Sequence, residues 1–176
     1  MLVEGWRPLL PEPIMAIIRG LTLHRPWPFA FLTEPRPDSL NEPIAAKRVE
    51  NRSWAPPEWM RDQYIALHSG QHWDDEGGGY IETVTGLTLP PSEFHGAGEI
   101  FAVAKLSHWV NEEDFDTMQD PAALPEDQRP WFFGPWGWIL TEFKAIEPVK
   151  CRGFQKLWKL PPLVLMQVRE RYREVV

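Results

Sequence analysis

The sequence predicts an α+β fold: a small, mostly antiparallel, partly open β-barrel with a few helices on its outside. Three observations carry this. Short apolar runs of strand type recur at irregular spacing along the 176 residues. Nineteen prolines break the chain into short elements, which disfavours a helical bundle or long parallel strands. Helical periodicity is confined to a few short pieces.

In chain order, Met1 to Ile14 is Pro-rich and without periodicity. It reads as an N-terminal arm (residues 1–14), with Met15 as an alternative start, ahead of a single domain over residues 15–176. Ile17 onward reads as a strand ending at His24, and Pro26 suits the first turn of a short helix over Trp27–Leu32. Glu34 to Pro43 is a Pro-rich loop. Ala55-Pro56-Pro57 breaks the chain before a strand at Tyr64–His68, which Ser69-Gly70 is expected to end. Asp74 to Gly79 reads as a polar, flexible break, followed by helix over Tyr80–Leu87. Gly98–Leu106 is apolar on both faces and so belongs at the centre of the sheet. Residues 111–129 are acidic and Pro-punctuated, an exposed insertion. Strands follow at Trp136–Phe143, Ala145–Val149 and Lys156–Leu160. A last helix, Leu163–Arg173, carries Leu165, Val168 and Tyr172 on one stripe.

Composition narrows the function. Hydrophobic content of 43% and charged content of 24% are those of a soluble globular protein, long enough for one domain with a real core. A single cysteine, Cys151, leaves no intrachain disulfide and no cysteine-rich metal site, which fits a reducing compartment. No apolar run reaches membrane-spanning length and no signal-peptide pattern opens the chain, so a cytoplasmic location without membrane contact is expected. Net charge is −7, which excludes bulk attraction to nucleic acid. The charge is uneven, however. Residues 73–127 hold thirteen acids against Lys105 alone, and residues 128–176 hold nine bases against four acids. A local basic groove built from the first and last thirds is compatible with this; so are plain solvated faces.

The densest chemistry lies in Lys47-Arg48-Val49-Glu50-Asn51-Arg52-Ser53-Trp54. Alternation places Lys47, Val49 and Asn51 on one side of a strand, with Arg48, Glu50 and Arg52 on the other. Either face carries groups that are costly to bury without partners. The cluster therefore lies at the mouth of a site, or is tied into an internal Glu50–Arg52 pair. As a site, Lys47 offers phosphate a point charge, Arg52 a bidentate fork, and Glu50 an acceptor for an exocyclic amine or hydroxyl.

From these residues outward the chain resembles a known family. The order is His24-Arg25-Pro26-Trp27, the Lys47–Trp54 run, Tyr64 to Gly70, Gly98-Glu99-Ile100, Gly134 to Trp138, and Gly153 to Leu160. It is similar to the ASCH (activating-signal-cointegrator homology) domain of the PUA-like superfamily, over roughly residues 17–160. The resemblance implies a PUA-like β-barrel with a cleft beside the first helix, and binding of RNA, single-stranded nucleic acid or a nucleoside. Some small members of that family hydrolyse N4-acylated cytidine through a Lys-x-x-Thr-x-Arg run. Here Lys47 and Arg52 match, and Glu50 stands at the threonine position. Another branch is associated with RNA cleavage; no distinct nuclease signature is present here.

The expected ligand site gathers His24, Arg25 and Trp27 from the first strand–helix junction. Lys47, Glu50, Asn51, Arg52 and Trp54 come from the central run, and His68 and Ser69 from the next strand end. An indole suits base stacking, with Trp54 the better candidate and Trp27 equally readable as core. Trp136 and Trp138 share a strand face, so one or both belong to the core. His68 reads as a general base at the mouth or as a hydrogen-bonded structural histidine. His68 and His72 are four apart but lack the helical face a zinc pair needs, and no metal or cofactor is expected. Cys151 has no local partner base. The favoured reading is an RNA- or nucleotide-binding module. A hydrolase of modified nucleosides, with Lys47, Glu50 and His68 as catalytic candidates, and a protein-interaction module are the alternatives. Oligomeric state is not legible in the sequence.

Overall fold

The computed structural model describes residues 17–37 and 43–176. The N-terminal arm, the choice of start and part of the Glu34–Pro43 loop lie outside them. Six strands form one mixed sheet: β1 (Ile18–Arg25), β2 (Val49–Arg52), β3 (Tyr64–Trp73), β4 (Glu99–Asn111), β5 (Trp136–Lys150) and β6 (Leu157–Lys159). Their order is β2-β5-β4-β3-β1-β6. Only β1 and β3 run parallel; every other pairing is antiparallel. Helices α1 (Trp27–Leu32), α2 (Asp75–Thr85), α3 (Phe115–Gln119) and α4 (Pro162–Arg173) flank it. The fold is α+β, and no helix among the described residues is long and apolar enough to cross a membrane.

No ladder joins the two end strands among the described residues, yet the sheet is strongly curled. Arg52 of β2 donates through Nη2 to the carbonyl of Thr22 in β1 at 2.9 Å. In a flat sheet those strands would stand four spacings apart, roughly 19 Å, which no arginine spans. The curl encloses Leu21, Leu23, Ile65, Leu67, Leu106 and Trp138, the inner members of an alternating pattern. The opposite face, with Tyr64, Ala66, Ile100 and Trp158, is covered by Val168 and Tyr172 of α4. A third cluster joins Ala30 of α1 and Ile81 and Val84 of α2 to Val49 and Trp131. As expected for a Gly-separated pair on one strand, Trp138 is fully buried, and Trp136 packs on the same core.

Several elements differ from expectation, each for a local reason. Strand β3 does not stop at His68 but runs through Gly70 to Trp73. Gly70 serves here as a close-approach residue, because a Cβ would meet Thr22 Cγ2 at 2.9 Å and the Leu23 carbonyl oxygen at 3.1 Å. The Asp74–Gly79 stretch is not a flexible break. Asp74 caps α2, its side chain accepting from the Gly77 amide at 2.9 Å, and Gly77 is buried against Trp27. The two strands expected over residues 136–149 are one, bent where Glu142 takes a φ of +49°. The acidic insertion is exposed at α3, but its far end builds the core: Leu124 and Gln128 are buried, as is Trp131 just beyond it. Gln128 accepts from the Arg48 amide at 2.6 Å and donates to the Ala46 carbonyl at 2.9 Å.

Candidate functional site

Strand β2 is only four residues long, so Lys47 lies just before it. The expected split, with Lys47 and Glu50 on opposite faces, does not hold. The Lys47 ammonium folds onto Glu50 Oε2 at 3.2 Å and also donates to the Val49 carbonyl. It is 1% exposed and sits 4.6 Å from the centre of the Phe31 ring and 5.5 Å from that of Trp27. Burial pushes its pKa below the ordinary lysine value, opposed by the attraction and hydrogen bond of Glu50. Glu50 Oε1 in turn pairs with Arg52 Nη2 at 3.0 Å, the same-face pairing that a two-residue period predicts. The three side chains form one ionic chain. Asn51 works differently: it donates to the Trp131 carbonyl at 2.9 Å and accepts from the Phe133 amide at 2.8 Å, clamping the segment before β5. Trp27, Lys47, Glu50, Asn51 and Phe133 line a small cavity of about 150 Å³.

A larger cavity, about 600 Å³, lies between the ends of β1 and β3 and the Cys151–Lys156 segment. Arg52 lines it, so the ionic chain ends on its wall. His68 is only 2% exposed, with Nε2 2.9 Å from the Cys151 carbonyl oxygen. Burial holds its pKa below the ordinary histidine value. His24 is at the rim, its ring centroid 4.3 Å from that of His72. Burial first, then the neighbouring His72 and Arg52, push its pKa down as well.

Two features set this cavity apart. Thr22 Oγ1, Arg52 Nε and His68 Nδ1 are buried without a hydrogen-bond partner, and all three residues line it. Its charged lining is entirely basic: Arg52, Arg152 and Lys156, with no carboxylate among the lining residues. The Arg152 guanidinium lies 5.3 Å from the ring centre of half-exposed Phe154.

The structure thus brings His24, Arg52 and His68 together in one cavity and Trp27, Lys47, Glu50 and Asn51 around the adjoining one. It places the other three expected residues elsewhere. Arg25 is fixed by the carbonyls of Gln71, Ser92 and His95. Ser69 donates to the Gly96 carbonyl at 2.5 Å. Trp54 is not a free stacking face: it packs edge-on against Trp138, ring centroids 4.8 Å apart, and its carbonyl accepts from the Trp138 indole at 3.2 Å. Sequence reasoning missed Thr22, Arg152, Gly153, Phe154 and Lys156. The basic excess of the last third was their one signal.

An α+β domain with a basic cleft beside a curled sheet is what fold and site define. Among solved structures, the chain is similar to the ASCH protein from Zymomonas mobilis, at 12% identity and a TM-score of 0.46, covering 90% of this chain and 96% of that one. It is likewise similar to a point mutant of that protein, at 14% identity and a TM-score of 0.46, covering 90% of this chain and 99% of the other. No protein-family model matches the sequence, and no curated protein does.

Proposed function

We propose that the protein binds a nucleotide, free or as part of an RNA strand, in the cavity between β1, β3 and Cys151–Lys156. One observation carries the reading: three residues lining a cavity whose charged side chains are all cationic each hold a buried, unpartnered hydrogen-bonding atom. A buried polar atom without a partner costs about 1–3 kcal/mol, and a ligand that supplies partners recovers it. The volume of about 600 Å³ suits a mononucleotide. In this arrangement Arg152 and Lys156 hold phosphate, and the exposed part of Phe154 offers a ring to the base. The strong local basicity offsets the net charge of −7 only at short range, so binding weakens steeply as salt rises.

The test is a tryptophan-fluorescence titration with short single-stranded RNA and mononucleotides at two salt concentrations. The double variant Arg152→Ala/Lys156→Ala is expected to bind RNA about tenfold more weakly. Its log–log salt slope should be shallower by about 1 to 1.5, from two phosphate contacts at ~0.7 each. Unchanged affinity and slope in the double variant, or no saturable binding by the wild type, overturns the reading.

A second reading has its own support. Lys47 is a fully buried ammonium with a depressed pKa beside Glu50, facing the small cavity with Trp27 and Phe133. Such a group is suited to act as a base in hydrolysis of an acylated nucleoside. This reading expects turnover of N4-acylated cytidine that Lys47→Met abolishes; a wild type that leaves that substrate intact removes it.

A further inference from the structure

The large cavity presents its unpartnered atoms in a fixed order of hydrogen-bonding character. His68 Nε2 faces the Cys151 carbonyl oxygen at 2.9 Å, and a carbonyl only accepts, so Nε2 carries the proton. Burial keeps the ring neutral near pH 7. Nδ1 is therefore a bare lone pair, an acceptor without a donor. Thr22 is the register partner of His68 across the parallel β1–β3 ladder, so its hydroxyl stands next to the imidazole. That hydroxyl donates or accepts as required. Arg52 reaches the backbone of Thr22 at 2.9 Å, which holds its unpartnered Nε, a donor only, beside the same residue. The array offers an acceptor, an adaptable hydroxyl and a donor.

Gly153 packs directly against the array. A Cβ there would lie 2.5 Å from His68 Nδ1 and 2.6 Å from Thr22 Oγ1, so glycine is the one residue that fits. It is also the smallest obstacle to a ligand edge that takes its place against the two atoms.

Resting on the nucleotide reading above, we propose that His68 Nδ1, Thr22 Oγ1 and Arg52 Nε read a nucleobase edge in which an amine and a carbonyl flank a ring nitrogen. Cytosine and guanine have that edge. The amine donates to His68 Nδ1, the ring nitrogen pairs with the Thr22 hydroxyl in whichever sense it needs, and the carbonyl accepts from Arg52 Nε. Uracil presents carbonyls at both ends and leaves one array atom unsatisfied in any orientation. Adenine has no carbonyl for Arg52. The site therefore selects by the amine–carbonyl edge, and phosphate contacts supply affinity common to all four bases.

The experiment measures dissociation constants of CMP, GMP, UMP and AMP for the full chain, wild type, Thr22→Val and His68→Leu, by calorimetry. The wild type is expected to bind CMP or GMP at least tenfold more tightly than UMP and AMP, the discrimination of one good paired contact. The CMP and GMP arms separate the two edges. Thr22→Val, which keeps shape and removes only the adaptable hydroxyl, should weaken CMP, GMP and UMP alike by about tenfold and leave the preference in place. His68→Leu, which removes the acceptor of the amine, should reduce the preference to threefold or less, and if that variant fails to fold, wild-type binding of IMP decides: it is GMP without the amine and should bind at least tenfold more weakly than GMP. Equal affinity for all four nucleotides, or preference for UMP, overturns the edge-reading inference and leaves nucleotide binding standing. No binding of any nucleotide overturns both. A preference that survives in His68→Leu, or IMP binding as tightly as GMP, overturns the assignment of these atoms.

Discussion

Replacing Glu50 by alanine lowers the unfolding free energy by about 3–5 kcal/mol, a drop of roughly 10 °C or more in Tm for a domain of this size. The reason is the neighbour it leaves behind. Lys47 is 1% exposed, and its ammonium has Glu50 and the Val49 carbonyl as hydrogen-bond partners. Without the carboxylate, a buried cation keeps one neutral acceptor and two aromatic faces. Arg52 also loses its partner, but it is better exposed and keeps the Thr22 carbonyl. The companion change Lys47→Met should restore much of the loss, because it removes the stranded charge instead of a contact. The pH dependence has a definite sign. The folded pKa of Lys47 lies below its ordinary value, so between the two the unfolded chain binds more protons and stability rises with pH. Loss of Glu50 lowers the folded pKa further, so the deficit of Glu50→Ala narrows as pH rises toward 10. Urea unfolding at pH 7 and pH 9.5 measures both. A deficit below 1 kcal/mol at pH 7 would mean that Lys47 is not held as a buried cation.

The variant Gly153→Ala should bind nucleotide about 100-fold more weakly while losing only about 1–3 kcal/mol of stability. The added methyl lies in van der Waals overlap with the His68 ring and the Thr22 hydroxyl, so the Cys151–Lys156 segment shifts outward or the methyl fills the gap. In either case the ligand loses two hydrogen bonds, each contributing about 1–3 kcal/mol of recognition. The segment connects β5 to β6 without regular structure of its own, which keeps the effect on the fold small. Calorimetric titration beside urea unfolding separates the effects. Wild-type affinity in Gly153→Ala would place the ligand elsewhere.

Much of the architecture was legible because it follows local rules. The strand–helix junction at Arg25-Pro26-Trp27, the central strand around Ile100 to Leu106 and the apolar stripe of α4 are set by period and by proline. The pairing of Glu50 with Arg52 also follows from period two. The failures are those of tertiary context. Gly70 reads as a terminator, and only the closeness of β1 makes it the middle of a strand. The glycines after Asp74 read as flexible, and the Asp74 cap with burial of Gly77 against Trp27 makes them helical. Lys47 could not be placed with Glu50 from alternation, because the strand starts two residues later than the pattern implies. Trp54 looked available for stacking because nothing local announces Trp138, which lies opposite Glu50 in the β2–β5 ladder. The site residues of Cys151–Lys156 carry no periodicity at all. Their role comes from where the end of β5 delivers them.

Arg52 is both a wall of the cavity and the bridge between the second and first strands. On the proposed reading, binding and closure of the curled sheet are two readouts of one side chain. A ligand that fixes Arg52 also fastens the seam, where the sheet is held by a guanidinium instead of a backbone ladder. Affinity at the site and resistance of β2 to fraying then rise and fall together, as a purse and its clasp do.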